Sequence, residues 1–235
     1  MRPSAAGSPG ASAARYDRQV AVGGETPRSS ALEWVVFDYG EVISRRSTAF
    51  PWLAARLGVD EQAFRDAYRR ERDAYVLGSS DLAYWQAVGE RLGREVDDGL
   101  ARELTGADVR GWLVVDHAAV ELVTAVNAAG VNLALLSNLP RSLAREVERQ
   151  SWTSAFTHML FSCDIGAAKP DAASWRALLG RLGAAPESCL MVDDRQYNVD
   201  GVRAARLRAE RWSGAQAAEA MLHTLGVLNG RRAQR

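Results

Sequence analysis

Three short apolar runs each end in polar residues, and helical patterns of about 10 to 15 residues fill the spaces between them. The first run is Glu33-Trp34-Val35-Val36-Phe37-Asp38. The second is Val131 to Leu136, leading into Ser137-Asn138. The third is Cys189-Leu190-Met191-Val192, leading into Asp193-Asp194. Continuous apolar character reads as strands buried on both faces. Strands that alternate with helices predict an α/β chain, a doubly wound parallel sheet covered by helices on both sides. In such sheets ligands bind beyond the carboxyl ends of the strands, so Asp38, Ser137, Asn138, Asp193 and Asp194 are expected along one edge.

Helix signals support the alternation. Asp116 is placed to cap a helix through Val120, Leu122, Val123 and Val126 that stops at Gly130. Pro140 opens another, Ala172 to Leu182 ends at Gly183, and a helix to Arg206 follows Asp194. His158–Phe161 and Arg208–Trp212 are further strand candidates, and Ala215 to Leu225 reads as a last helix.

Residues 44–116 carry no strand signal. Ala63, Phe64, Ala67 and Tyr68 share one helical face, Asp81 can cap a helix carrying Leu82, Trp85, Val88 and Leu92, and Asp97-Asp98 can start another. This block reads as a helical insertion. Its aromatic residues Trp52, Tyr68, Tyr75, Trp85 and Trp112 either line a pocket or pack helices together. The expected organisation is a disordered tail over 1–30, a core made of 31–43 and 115–226, a helical cap over 44–114, and a flexible tail over 227–235.

Composition excludes several function classes. Among 235 residues, Lys+Arg and Asp+Glu are both 29, so the chain lacks a basic nucleic-acid footprint. No apolar stretch approaches a membrane span, and no apolar segment follows Arg2 as a secretory signal requires. Cys163 and Cys189 form neither a disulfide framework nor a metal-ligand spacing, and a reduced, cytoplasmic setting is expected. The sequence carries no signal for oligomeric state. One bias stands out: Lys169 is the only lysine, in a chain whose other basic groups are arginine and a few histidines. A lysine delivers a compact charge on a slim stem, which suits a tight site.

Four segments in order resemble the haloacid dehalogenase-like hydrolase superfamily: Val35-Val36-Phe37-Asp38-Tyr39-Gly40-Glu41-Val42-Ile43, Leu135-Leu136-Ser137-Asn138, Lys169-Pro170-Asp171, and Met191-Val192-Asp193-Asp194-Arg195 with Asn198 beyond. The resemblance runs from about Trp34 to Trp212 and implies a Rossmann-like core with a cap inserted after the first motif. It implies Asp38 as nucleophile, forming an aspartyl-phosphate that water hydrolyses. It further implies Mg²⁺ held by Asp38, the Gly40 carbonyl and Asp194, with Asp193 beside them. Ser137 and Asn138 would bind the transferring phosphoryl group of a small phosphorylated metabolite, and Lys169 would offset its charge. Asn198 is read as a helix residue bonded locally, and Arg195 either reaches phosphate or pairs with Asp194.

One position departs from the pattern. Phosphatases of this superfamily carry a second Asp two positions after the nucleophile, where this chain has Gly40. Three readings compete. The first is a phosphatase whose first motif is similar to the glucose-1-phosphate phosphatase subset, with the proton supplied by Glu41, by a cap residue or by none. The second is a catalytically impaired domain that binds a ligand or protein partner. The third is a 2-haloacid dehalogenase, whose tyrosine stands two positions after the nucleophile rather than one, as at Tyr39.

Overall fold

The computed structural model describes residues 32–228, so the tail expected over 1–30 and most of that expected over 227–235 lie outside the described residues. Five strands form one parallel sheet: β1 (Trp34–Phe37), β2 (Asn132–Ser137), β3 (His158–Phe161), β4 (Cys189–Asp193) and β5 (Arg208–Arg211), in the order β3-β2-β1-β4-β5. The α/β Rossmann-like class expected from the alternation is the one observed.

Period-two geometry explains why the strands read as unbroken apolar runs. Val35, Phe37, Leu133, Leu135, Leu190 and Val192 fill one face of the sheet, while Trp34, Val36, Ala134, Leu136, Cys189 and Met191 fill the other. All of these residues are inside, so alternation disappears from these three runs.

Of the six helices between β1 and β2, the first five form one block: α1 (Phe50–Leu57), α2 (Glu61–Arg70), α3 (Arg72–Val76), α4 (Asp81–Arg91) and α5 (Asp98–Trp112). They share a core of their own around Phe50, Phe64, Tyr68, Tyr84 and Trp85. The block leaves and re-enters the sheet domain at one place. The Arg45 N–H donates to the Val114 carbonyl, the Asp116 N–H donates to the Ile43 carbonyl, both at 2.8 Å, and Ser44 bridges Val115 antiparallel. Asp60, Asp97 and Asp116 accept from backbone N–H groups at helix starts. The expected cap at Asp81 moves by one residue: Ser80 is the cap, and Asp81 instead accepts from the Tyr75 hydroxyl at 2.7 Å.

The remaining helices cover the sheet: α6 (His117–Ala128), α7 (Arg141–Glu148), α8 (Ser162–Ile165), α9 (Ala172–Leu182), α10 (Gln196–Ala204) and α11 (Ala215–Thr224). Helices α6, α7 and α11 pack on one face, α9 and α10 on the other. The one-turn α8 had no periodic signal to reveal it. Val227, assigned to a flexible tail by composition, is instead buried against the sheet domain, with its N–H donating to the Leu222 carbonyl at 2.9 Å. Among the described residues both cysteines are buried and free. No described helix is long and apolar enough to cross a membrane.

Candidate active site

Strand order reverses at β1, which places a crevice between the carboxyl ends of β1 and β4. Asp38 follows β1 directly, and its N–H donates to the Val192 carbonyl at 3.0 Å. Asp193 closes β4 and Asp194 follows it. One carboxylate oxygen from each of Asp38, Asp193 and Asp194 lies within 4.8 Å of the others.

Lys169 enters this cluster from the loop before α9. Its Nζ lies 2.8 Å from Asp38 Oδ1 and 2.6 Å from Asp193 Oδ2, and its side chain is only 1% exposed. The loop is clamped: Asn138 Nδ2 donates to the Lys169 carbonyl and the Lys169 N–H donates to Asn138 Oδ1, both at 2.8 Å. The Asn138 side chain was expected to bind a phosphoryl group. It lines the cavity and is also engaged with the backbone that carries the ammonium.

Asp193 was expected in the metal shell. It is fully buried, and both of its oxygens accept from within the chain. Oδ1 accepts from the Arg195 N–H at 2.9 Å, Oδ2 accepts from Lys169, and Asn198 Nδ2 reaches both at 3.0 and 3.1 Å. Its geometry is that of an anchor for Lys169. Asn198 therefore belongs to the site, although from the sequence it reads as a helix residue bonded locally.

Electrostatics follow from burial. Desolvation raises the Asp38 pKa above the ordinary carboxylate range, against the lowering effects of Lys169 and Ser137, and Asp193 adds to the rise. Asp194 is pushed up to about 6 by burial first, then by the charge of Asp38, with Arg195 opposing. Burial alone would lower the Lys169 pKa, but the two carboxylates outweigh it and the net direction is up. Lys169 thus holds Asp38 and Asp193, and Arg195 holds Asp194 at the rim, where Arg195 Nε meets Asp194 at 2.9 Å. Asp38 Oδ1 is buried and, beyond its ion pair with Lys169, accepts no full hydrogen bond among the described residues. An all-oxygen set with an unsatisfied carboxylate oxygen suits a hard divalent cation.

A cavity of about 640 Å³ opens above the acids. Asp38, Gly40, Ser137, Asn138, Lys169 and Asp194 line its core side, and Arg65, Tyr68, Arg72 and Trp112 are among its cap residues. Tyr68 and Trp112 thus line the cavity, whereas Trp85 and Tyr75 are packed in the cap interior and Trp52 lies outside the cavity. Glu41 reaches the rim from a left-handed backbone (φ 57°) that a glycine would adopt at less cost. Its carboxylate pairs with Arg46 at 3.4 Å and Arg195 at 3.3 Å. The Gly40 backbone lies beside it, and a Cβ at Gly40 would meet nothing within 4 Å.

A family model described as haloacid dehalogenase-like hydrolase matches residues 29–206. The chain belongs to this family. It is similar to a phosphoserine phosphatase of Thermus thermophilus, 31% identical over 181 residues that make up 72% of this chain and 70% of the relative. It is also similar to a phosphoglycolate phosphatase of Rhodospirillum rubrum, 32% identical over 56% of this chain and 53% of the relative, so it spans about half of that protein. Among solved structures, L-2-haloacid dehalogenase from Xanthobacter autotrophicus with chloropropionic acid covalently bound shares the fold. Its TM-score is 0.62 at 18% identity, covering 82% of this chain and 83% of that one.

Proposed function

We propose that this haloacid dehalogenase-like hydrolase cleaves small phosphate monoesters through an aspartyl-phosphate on Asp38, with Mg²⁺ as its cofactor. The observation that carries the reading is the convergence of Asp38, Asp193 and Asp194, two of which, Asp38 and Asp194, line the cavity. Displacing halide from a monoanionic haloacid needs no such cluster, whereas a carboxylate approaching a phosphate dianion needs cationic help. Two phosphatases among the relatives point the same way. Against the dehalogenase reading, the Tyr39 hydroxyl donates to the Trp112 carbonyl at 2.8 Å, and its ring stacks on Trp152 in the core. The loss-of-turnover reading leaves this acid cluster without a use.

Asp38 and Asp194, with the Gly40 carbonyl, are the groups that would hold Mg²⁺. When bound, the cation screens the repulsion between carboxylate and phosphoryl oxygens. Asp38 forms the bond to phosphorus as the ester oxygen leaves. Water then attacks the same phosphorus, releases phosphate and restores the Asp38 carboxylate. Ser137 donates toward the transferring oxygens. Lys169, fixed by Asp193 and by the Asn138 clamp, offsets charge on Asp38 throughout.

Phosphate release from a panel of phosphomonoesters is expected with Mg²⁺ and is expected to stop with EDTA. Halide release from chloroacetate, or turnover indifferent to EDTA, would refute the proposal. The open space at Gly40 gives a second expectation. Gly40→Asp restores a general acid, a contribution of roughly 10²–10⁴-fold where it operates. It should speed hydrolysis of alkyl phosphates about tenfold or more and leave nitrophenyl phosphate nearly unchanged, because nitrophenolate leaves unprotonated. No gain on alkyl phosphates, with the parent active, would mean that another residue already supplies the proton.

A further inference from the structure

The cap presents three arginines to the cavity at helical spacing: Arg65, Arg69 and Arg72, on α2 and the start of α3. They differ in what holds them. Arg65 pairs with Glu61 at 2.6 Å, and Arg69 pairs with Asp66 at 3.7 Å. Arg72 is fixed by a buried network. Its Nη1 donates to the Tyr68 hydroxyl at 2.6 Å, and its guanidinium lies over the Tyr68 and Tyr75 rings. Tyr68 in turn donates to buried Asp108 at 3.0 Å and accepts from Trp112 Nε1 at 3.1 Å. Asp108 itself stands 3.8 Å from Arg72.

Fixing a guanidinium this way spends side-chain entropy before any ligand arrives. Among the described residues the Tyr68 bond is the only hydrogen bond of Arg72, so most of its five donors remain free beside the cavity. The acid cluster makes no ion pair with it among the described residues. A preorganised cation in the cap wall therefore faces a space whose core wall is built for one phosphoryl group.

We infer that Arg72 is a specificity-determining residue that reads a carboxylate on the substrate, making the substrate class phosphomonoesters of small hydroxy- or amino-hydroxy acids. The inference rests on the phosphatase reading above for the other end of the substrate. A planar carboxylate matches the edge of a guanidinium with two parallel hydrogen bonds. Its single negative charge also matches one cation already shared with Asp108. A second phosphate would bring nearly twice that charge.

Phosphoglycolate and ethyl phosphate share a skeleton and differ in the carboxylate, so their kcat/KM ratio reads Arg72 directly. Wild type is expected to prefer phosphoglycolate by about 30-fold, the scale of charge-assisted hydrogen bonds. Arg72→Met should bring the ratio near unity, chiefly through KM. Arg72→Lys keeps a cation beside Asp108 and so keeps the fold, and should lose about tenfold by losing the fork. A ratio that stays at the wild-type value in Arg72→Lys overturns the inference, whether or not Arg72→Met folds. Calorimetric binding of the same two compounds in Mg²⁺ separates the two proposals. If nothing is hydrolysed but phosphoglycolate binds more tightly than ethyl phosphate in an Arg72-dependent way, the phosphatase reading fails and the carboxylate site stands. Equal binding of both compounds overturns the site, whatever the activity.

Discussion

Asp38→Asn should abolish turnover, lowering kcat by at least about 10⁴-fold, because the amide has neither the charge nor the nucleophilicity to form an acyl phosphate. The same substitution should leave the fold intact and should not lower the melting temperature. The Asp38 pKa is raised in the folded chain, chiefly by burial. A raised acid favours its protonated form on folding, so its stability contribution is present below the unfolded pKa and is lost as pH rises through the folded value. At neutral pH the buried carboxylate is a cost, and asparagine removes the charge while keeping the shape. Activity and stability therefore move in different directions, the pattern of a strained functional group. A variant that is inactive because it has unfolded would show the opposite thermal shift. Residual metal-dependent phosphate release within tenfold of wild type would remove Asp38 from the role of nucleophile.

The sequence revealed the positions of this site better than the duties of its side chains. Asp38, Ser137, Asp193 and Asp194 were legible because buried parallel strands appear as apolar runs, and the first polar residue after each run must emerge at the carboxyl edge. Lys169 was legible by its rarity. Duties depend on distances that no run of letters carries. Asn138 and Asp193 read as groups aimed at substrate and metal, and only the structure adds that one clamps the Lys169 backbone and the other holds its ammonium. Asn198 was set aside because an Asn on a helix is usually bonded locally. Here it spans both oxygens of a carboxylate five residues away. Arg72 was invisible for another reason. Its spacing with Arg65 and Arg69 is in the sequence, but one cap face of arginines resembles any solvated helix until Asp108, from α5, is seen buried beneath it.

Lys169→Met tests the other half of the cluster, and its expected cost falls on stability as well as rate. The ammonium is buried between Asp38 and Asp193, and methionine replaces its bulk without its charge. Breaking a buried ion pair by removing one partner costs about 3–5 kcal/mol, because the remaining charge is left uncompensated. For a chain of this size that corresponds to a fall of roughly 10 °C or more in Tm. In wild type the raised Lys169 pKa gives stability that is complete below the ordinary lysine value and fades only as pH rises through the folded value. The variant lacks that contribution at every lower pH. Its Asp38 rises further above its unfolded pKa, so the deficit should be largest at neutral pH and shrink as acid protonates the site. Turnover should drop about 10²–10³-fold, the usual loss when one preorganised positive group is removed from a charged transition state. Mg²⁺ should raise the melting temperature of Lys169→Met more than that of wild type, since a cluster stripped of its ammonium binds a cation with less competition. If Mg²⁺ shifts neither protein, the three acids are not a cation site, and the chemistry proposed for Asp38 loses the charge that makes its approach to a phosphate dianion possible.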